Sequence, residues 1–150
     1  MRAEQVKAET RSLPGASERS EARMRTQRRV LLVDSAPDER EMYAEILRLE
    51  GFCTLQARTS SGAYRLAIEL LPMLVITDTR LDGAEDGIAL TRRLKLDDLT
   101  RGIPVVMLSG AILSSEKYLA AKAWTDLLVT KPCTPDKLLR LVRPLLLDAA

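Results

Sequence analysis

Four short apolar runs, each followed by a polar or charged residue, constrain the fold of this chain more than any other feature. The runs cover residues 30–33, 74–77, 105–108 and 127–130, and the residues that follow them are Asp34, Asp78, Ser109 and Lys131. Runs of this kind that alternate with helical patterns are typical of a parallel sheet, whose strands have their carboxyl ends along one edge. We therefore expect two carboxylates, a hydroxyl and an ammonium group in one crevice. Such a set suits a divalent cation and a phosphoryl group.

Strand and helix patterns alternate through the whole of this region. Strands are predicted over 30–33, 53–57, 73–77, 103–108 and 127–130, and helices over 37–50, 61–71, 87–96, 114–123 and from residue 135 onward. Thr134 is predicted to be the N-cap of the last helix, with Pro135 in its first position. Five βα units predict an α/β fold with a doubly wound parallel sheet of five strands. The periodicity does not choose between the two common strand orders.

The last helix is unusually apolar. Its main apolar stripe is formed by Leu138, Leu141, Val142, Leu145 and Leu146. Leu139 and Leu147 fall outside the stripe, and this surplus predicts a partner surface or a homodimer surface. Pro144 is expected to kink or end the helix near Arg143, because proline lacks the N–H that the helix needs.

Charge is distributed unevenly along the 150 residues. Residues 1–29 carry eight Lys or Arg and four Glu, a net charge of +4, and the remaining residues carry fifteen basic and seventeen acidic side chains, a net charge of −2. Residues 1–28 are polar, so we predict a disordered basic N-terminal arm ahead of one domain over 29–150. We interpret the arm as a solvated tail rather than a contact for nucleic acid or acidic lipid. The domain itself lacks the basic surface that nucleic-acid binding requires.

The composition excludes several kinds of site. The chain has no His, so Ser-His-Asp and Cys-His catalysis are unavailable within it, and Cys53 and Cys133 lack the spacing of zinc ligands. Two cysteines are too few for a disulfide framework, which favours a reducing compartment and therefore the cytoplasm. No apolar stretch is long enough to span a membrane, and residues 1–29 lack the apolar core of a secretory signal.

The residues that follow the apolar runs, taken in order, resemble the receiver domain of bacterial two-component response regulators over about residues 29–147. Asp34 resembles the acidic site after the family's first strand, and Asp78 resembles its phosphoryl-accepting aspartate. Ser109 stands at the family's Thr/Ser position, and Lys131, followed by Pro132, at its Lys-Pro pair. The resemblance implies a flavodoxin-like sheet with the strand order 2-1-3-4-5 and five helices.

The resemblance also implies a chemistry for each position. Asp78 would attack a phosphoryl group and form an acyl phosphate, a transfer that depends mainly on positioning and on cations. Asp34, Asp78 and the backbone carbonyl of Arg80 would bind Mg²⁺. Lys131 would neutralise one phosphate oxygen, and Ser109 would donate a hydrogen bond to another. The protein would then not be an enzyme, beyond promoting its own phosphorylation and dephosphorylation.

The sequence departs from the family pattern at several positions. The second acidic residue expected after the first strand is Ser35, which predicts weaker Mg²⁺ binding; alternatively Ser35, with Asp38, caps the first helix. The aromatic residue expected three positions before the lysine is Leu128, which cannot make the family's usual inward swing. Trp124 stands where the family has small residues, and we favour a role at the edge of the core over a partner anchor. The loop over 82–87 resembles the family's Pro-Gly-x-Asp-Gly segment with one insertion.

Two hypotheses of different class follow. Only residues 133–150 follow the Lys-Pro pair, so we expect a stand-alone receiver that accepts a phosphoryl group from a sensor histidine kinase or a phosphotransfer protein and docks onto an unidentified downstream protein. The alternative is a pseudo-receiver, an interaction module with weak or no phosphorylation, which Ser35 and Leu128 favour. A flavodoxin-like enzyme is disfavoured, because no glycine-rich nucleotide loop follows the first strand.

Overall fold

The structure, a computed structural model, describes residues 15–17, 28–110 and 112–149, with side chains through residue 147. The predicted disordered arm therefore lies almost entirely outside the described residues, and it stays a prediction. The domain that follows the arm contains the alternating elements expected from the sequence.

Five strands form one parallel sheet. They are β1 (Arg29–Val33), β2 (Cys53–Ala57), β3 (Leu74–Asp78), β4 (Val105–Ser109) and β5 (Leu127–Thr130). Their order is β2-β1-β3-β4-β5, and each neighbouring pair is parallel. The predicted fold class and strand order are confirmed. The order reverses between β1 and β3, the place where open α/β sheets bind their ligands.

Five helices connect and cover the strands. They are α1 (Pro37–Leu49), α2 (Ser60–Leu70), α3 (Gly87–Leu96), α4 (Ser115–Trp124) and α5 (Pro135–Ala149). Thr59, Asp86 and Ser114 cap α2, α3 and α4 by accepting a hydrogen bond from the backbone N–H three residues later. Thr134 Oγ1 accepts the N–H of Lys137 at 3.2 Å, which confirms the predicted N-cap of α5. Such caps satisfy backbone donors that the first turn of a helix leaves unpaired.

The predicted serine cap of α1 is wrong, and of the two outcomes predicted at Pro144, a kink or an end of the helix, the end is wrong and the kink stays a prediction. The N-cap of α1 is Ala36, which has no capping side chain, and Asp34 Oδ1 rather than Ser35 accepts the Ala36 N–H at 2.9 Å. The side chain of an aspartate readily bonds the backbone two residues later, and this local turn replaces the expected serine cap. Pro144 lies inside α5, which continues to Ala149, so it does not end the helix. Val142, on the N-terminal side of Pro144, is buried in the core, and such packing stabilises a helix despite one missing hydrogen bond.

Both faces of the sheet are covered. Leu32 and Ile76 belong to a cluster that includes buried residues of α1 and α5, whereas Leu31 and Val75 pack with residues of α2 and α3. Burial on both faces explains why the strands read as continuous apolar runs rather than as alternating patterns. The hydroxyl of Tyr43 in α1 donates a hydrogen bond to the backbone oxygen of Cys133 at 2.7 Å, which joins α1 to the segment after β5. Burial raises the pKa of Tyr43 to about 12, so this hydroxyl stays protonated.

The apolar surplus of α5 is smaller than predicted. Leu139 is only 6 % exposed and belongs to the core, so its predicted place on a partner surface is wrong, because α5 packs a wider face against the sheet than one stripe. Leu147 is 77 % exposed, and a homodimer or partner contact there stays a prediction. Among the described helices, none combines the length and apolar character needed to cross a bilayer.

Candidate functional site

The predicted site residues meet at the carboxyl edge of the sheet. Asp34 follows β1, Asp78 ends β3, Ser109 ends the neighbouring β4 and Lys131 follows β5. Lys131 Nζ lies 2.9 Å from Asp78 Oδ2 and 4.0 Å from Asp34 Oδ2. Ser109 is buried, and its backbone oxygen accepts the N–H of Lys131 at 2.9 Å. Two carboxylates, a hydroxyl residue and an ammonium group therefore share one crevice, as the spacing of the runs predicts.

A third carboxylate, which the sequence reasoning missed, enters the crevice from α1. Glu39 lies in the first turn of that helix, and its Oε1 is 2.7 Å from Lys131 Nζ. One carboxylate oxygen from each of Asp34, Glu39 and Asp78 lies within 4.8 Å of the other two. The only sequence signal was an acidic first turn, which is common because it complements the helix dipole. The direction in which α1 leaves β1 decides that Glu39 faces the crevice.

The electrostatics of the crevice reflect crowded negative charge. Burial raises the pKa of Asp34 to about 6; the Ala36 N–H opposes this, and the carboxylates of Asp78 and Glu39 add to it. For Lys131, burial works against the charged form, but hydrogen bonds to Glu39 and Asp78 raise its pKa above the ordinary value. Lys131 is therefore an ammonium group across the neutral range, and an additional cation would relieve the repulsion that remains.

Lys131 is held in place by its neighbours. Its side chain is only 16 % exposed. A Cβ added at Gly110 would lie 3.1 Å from Lys131 Cδ, so the glycine leaves room for the lysine stem. The charged head therefore reaches the carboxylates with little freedom to move elsewhere.

The start of α3 packs directly on the backbone of Asp78. A Cβ added at Gly87 would lie 2.0 Å from the backbone oxygen of Asp78, a distance that no real side chain tolerates. The Gly87 N–H donates to the Thr79 oxygen at 2.8 Å, and Thr77 Oγ1 donates to the Asp78 oxygen at 2.9 Å. Gly87 therefore sets the position of Asp78 through the backbone, a role that its place in the 82–87 loop motif did not reveal.

A cleft of about 220 Å³ opens beside Asp78. It is lined by Asp78, Thr79, Arg80 and Gly110. Thr79 Oγ1 is buried and has no hydrogen-bond partner among the described residues. Buried hydroxyls are normally satisfied, so an unpaired one in a residue that lines this cleft suits a polar ligand or a water. The N–H of Arg80 lies 3.4 Å from Asp78 Oδ1, and the predicted role of the Arg80 carbonyl as a metal ligand stays a prediction.

The sequence of this domain matches a known family. Residues 30–143 match the response regulator receiver domain family. The chain belongs to this family. Receiver domains generally bind Mg²⁺ at an acidic site, and they interact with histidine kinases or phosphotransfer proteins. The three clustered carboxylates fit that cation, which prefers oxygen ligands.

Solved structures of receiver domains have the same fold. A response regulator receiver domain protein from Methanospirillum hungatei superposes with a TM-score of 0.74 at 24 % identity, over 81 % of this chain and 95 % of that one. The signal receiver domain of a histidine kinase from Syntrophus aciditrophicus has a TM-score of 0.73 at 30 % identity, over 80 % and 90 % of the two chains.

Among the curated relatives, the phosphate regulon transcriptional regulatory protein PhoB of Pseudomonas aeruginosa is 33 % identical over 117 residues, which are 78 % of this chain and 51 % of PhoB. The DNA-binding response regulator MtrA of Mycolicibacterium smegmatis is 36 % identical over 115 residues, 77 % of this chain and 49 % of MtrA. The chain spans about half the length of these curated relatives.

The acidic loop of this receiver domain lies outside the carboxylate cluster. Asp86 Oδ1 accepts the Ala89 N–H at 2.9 Å, and Glu85 pairs with Arg93 at 2.8 Å. Asp82 lies 3.9 Å from the guanidinium of Arg58. These residues serve the loop and the start of α3 rather than the carboxylate cluster.

The two positions near β5 that depart from the family pattern, Leu128 and Trp124, are both partly buried. Leu128 is half-buried and lines a cavity of about 640 Å³ together with Ser109, Tyr118 and Lys131. Trp124 is half-buried beside Arg92, whose guanidinium carbon lies 6.0 Å from the centre of the indole ring. Its partial burial between α3 and α4 is compatible with a role at the edge of the core, and a role as partner anchor stays open.

Proposed function

We propose that this receiver domain accepts a phosphoryl group on Asp78 from a sensor histidine kinase or a phosphotransfer protein, and that it signals by docking onto another protein. The observation that carries this proposal is the position of Asp78. Its carboxylate ends β3 beside the reversal of strand order, 2.9 Å from the ammonium of Lys131 and next to the cleft. A nucleophilic carboxylate, a fixed cation and an adjoining space are what phosphoryl transfer requires.

The proposed step is a substitution at phosphorus. A carboxylate oxygen of Asp78 attacks the phosphorus atom, and a new O–P bond forms as the bond between phosphorus and the donor nitrogen breaks. The donor imidazole keeps the electron pair of that bond, and the product on this chain is an acyl phosphate. Later attack of water on phosphorus releases inorganic phosphate and restores the carboxylate. The domain thus promotes its own phosphorylation and dephosphorylation and is not proposed to act on a separate substrate.

Each neighbouring residue has a role in this step. Lys131 neutralises a phosphate oxygen as a fixed point charge, and the Ser109 hydroxyl donates a hydrogen bond to another oxygen. Asp34, Asp78 and the backbone carbonyl of Arg80 would hold Mg²⁺. When bound, Mg²⁺ offsets the negative charge of the phosphoryl oxygens and of the carboxylates around them.

A pseudo-receiver is the second candidate function. Ser35 in place of a second acid after β1, and Leu128 in place of the switch aromatic, both favour an interaction module that phosphorylation hardly affects. In that case the domain would bind its partner equally well with and without a phosphodonor, because a ligand shifts an equilibrium only through its differential affinity.

Intact mass spectrometry after incubation with acetyl phosphate and Mg²⁺ distinguishes the two candidates. The wild type is expected to gain one phosphoryl group, and Asp78→Asn is expected to gain none. Asp82→Asn is the matched control, because it removes an exposed carboxylate of the neighbouring loop and should leave the gain intact. No gain in the wild type would favour the pseudo-receiver, and a gain that persists in Asp78→Asn would place the acceptor elsewhere.

A further inference from the structure

The crevice contains a third carboxylate, that of Glu39, although β1 is followed by only one acidic residue, Asp34. Ser35 follows Asp34 where the family has a second acidic residue, and a hydroxyl carries no charge to a cation. We propose that Glu39, from the first turn of α1, supplies this missing carboxylate as a direct ligand of the divalent cation. The inference rests on the proposed Mg²⁺ site at Asp34 and Asp78.

The geometry of Glu39 supports a ligand role. Its carboxylate belongs to the group whose oxygens lie within 4.8 Å of one another, and its side chain is only 28 % exposed. The preceding residue, Asp38, lies on the same turn but is exposed to solvent, and it is not in that group. A carboxylate can complement the helix dipole while it is exposed to solvent, so that role does not require the partial burial of Glu39. Glu39 instead faces the crevice.

The charges of the crevice leave a place for a cation. Asp34, Glu39 and Asp78 carry three negative charges when ionised, against the single positive charge of Lys131. The guanidinium of Arg40 is bonded to the backbone oxygen of Asp34 and to Gln56, and counting it still leaves a net charge of −1. One divalent cation would more than offset this negative charge, and buried charges are normally compensated.

Binding of the cation would change the partners of Lys131. Without the cation, Glu39 and Asp78 share the Lys131 ammonium at 2.7 and 2.9 Å. When Glu39 turns to the cation, Lys131 loses one of its two close partners and becomes available to an incoming phosphoryl oxygen. Binding of the cation to Glu39 would thus make the Lys131 ammonium available to contact the phosphoryl group.

Isothermal titration of Mg²⁺ into the unphosphorylated protein tests the role of Glu39 as a ligand without any activity readout. Glu39→Gln is expected to weaken Mg²⁺ binding by about tenfold or more, because affinity depends on the number of charged ligands. The control Asp38→Asn removes the same charge one residue earlier and should change the affinity less than about twofold, as expected of a screened surface charge. Circular dichroism verifies that each variant is folded before titration.

A rescue experiment separates a ligand from a general effect of charge. If Glu39 replaces the missing acid, Ser35→Asp should restore much of the affinity in the Glu39→Gln background and add little in the wild type. Equal gains in both backgrounds would overturn the inference, since the two positions would then not share one role.

The remaining outcomes are equally decisive. If Asp78→Asn abolishes Mg²⁺ binding but Glu39→Gln and Asp38→Asn bind Mg²⁺ with equal affinity, the metal site stands and only the proposed role of Glu39 is overturned. A wild type that binds no Mg²⁺ would overturn the inference together with the metal site of the proposed function.

Discussion

At the scale of single residues, the ionised form of Asp34 lowers the stability of the fold. The side chain is buried, lies beside two other carboxylates and accepts one backbone hydrogen bond from Ala36. Its pKa of about 6 in the folded protein exceeds the ordinary value of 3.8, so the fold favours the protonated form. An ionised Asp34 therefore costs stability until a cation compensates it.

The first prediction follows from the sign of this shift. Because the folded pKa is raised, the contribution of Asp34 to stability is fully present below about pH 4 and is lost as the pH rises through about 6. Asp34→Asn keeps the acceptor oxygen for Ala36 but cannot ionise. Without divalent cations it should be more stable than the wild type at pH 7.5, by at most about 3 kcal/mol. The advantage should disappear near pH 4.

Urea unfolding with a chelator at the two pH values measures this difference. Asp38→Asn, which changes an exposed carboxylate, should show no comparable dependence on pH. A destabilised Asp34→Asn at pH 7.5 would mean that the charged form is favoured by contacts other than those seen in the crevice.

The second prediction concerns the glycine behind Asp78. Gly87→Ala introduces a Cβ at 2.0 Å from the Asp78 backbone oxygen, so β3 or α3 must shift. We expect a loss of roughly 1–3 kcal/mol in the free energy of unfolding, as is common for overpacking, together with a lower rate of phosphorylation. Gly102→Ala is the control, because no heavy atom lies within 4 Å of its added Cβ. Similar unfolding curves for the two variants would refute the backbone contact as a determinant of the site.

The site residues at strand ends could be predicted from the sequence, whereas those whose position depends on helix packing could not. Asp34, Asp78 and Lys131 could be predicted because strand ends in a parallel sheet converge whatever the details of packing. Glu39 could not, because the direction of a helical side chain depends on how α1 enters from β1. Gly87 was visible as part of a motif, but its contact with the Asp78 backbone arises only from the packing of α3 on β3.

At the scale of elements, most boundaries followed from local sequence, and the exceptions came from tertiary contacts. The apolar runs gave the strands to within two residues at each end. The sequence left open whether Pro144 kinks α5 or ends it; the helix continues past the proline, and the burial of Leu146 beyond it stabilises that continuation. The burial of Leu139 escaped prediction for the same reason: the face that a helix buries depends on what packs against it.

The third prediction concerns the elements that would transmit a signal. Phosphorylation should draw Ser109 toward the phosphoryl group and shift α4, which follows β4, while β5 changes little because Leu128 cannot make an aromatic swing. Amide hydrogen exchange should therefore change modestly in α4 after treatment with acetyl phosphate and Mg²⁺. Asp78→Asn treated in the same way serves as the control and should show no change. A large change centred on β5 would contradict this route.

At the scale of the whole molecule, strand order was the feature least accessible from local pattern. Alternating strands and helices specify a parallel sheet, but two common orders satisfy the same periodicity. The order β2-β1-β3-β4-β5 followed from the family resemblance, and the sheet confirms it. This order puts β1 and β3 side by side at the reversal point, which brings Asp34 and Asp78 into one crevice.

The most direct test of a phosphoryl acceptor at Asp78 is to locate the modification chemically. After incubation with acetyl phosphate and Mg²⁺, borohydride reduces an aspartyl phosphate to the alcohol homoserine, which tandem mass spectrometry of peptides assigns to a single position. The predicted result is homoserine at residue 78 in the wild type and at no other Asp. Its absence from residue 78, or its appearance at another carboxylate such as Asp34, would contradict the proposed role of Asp78.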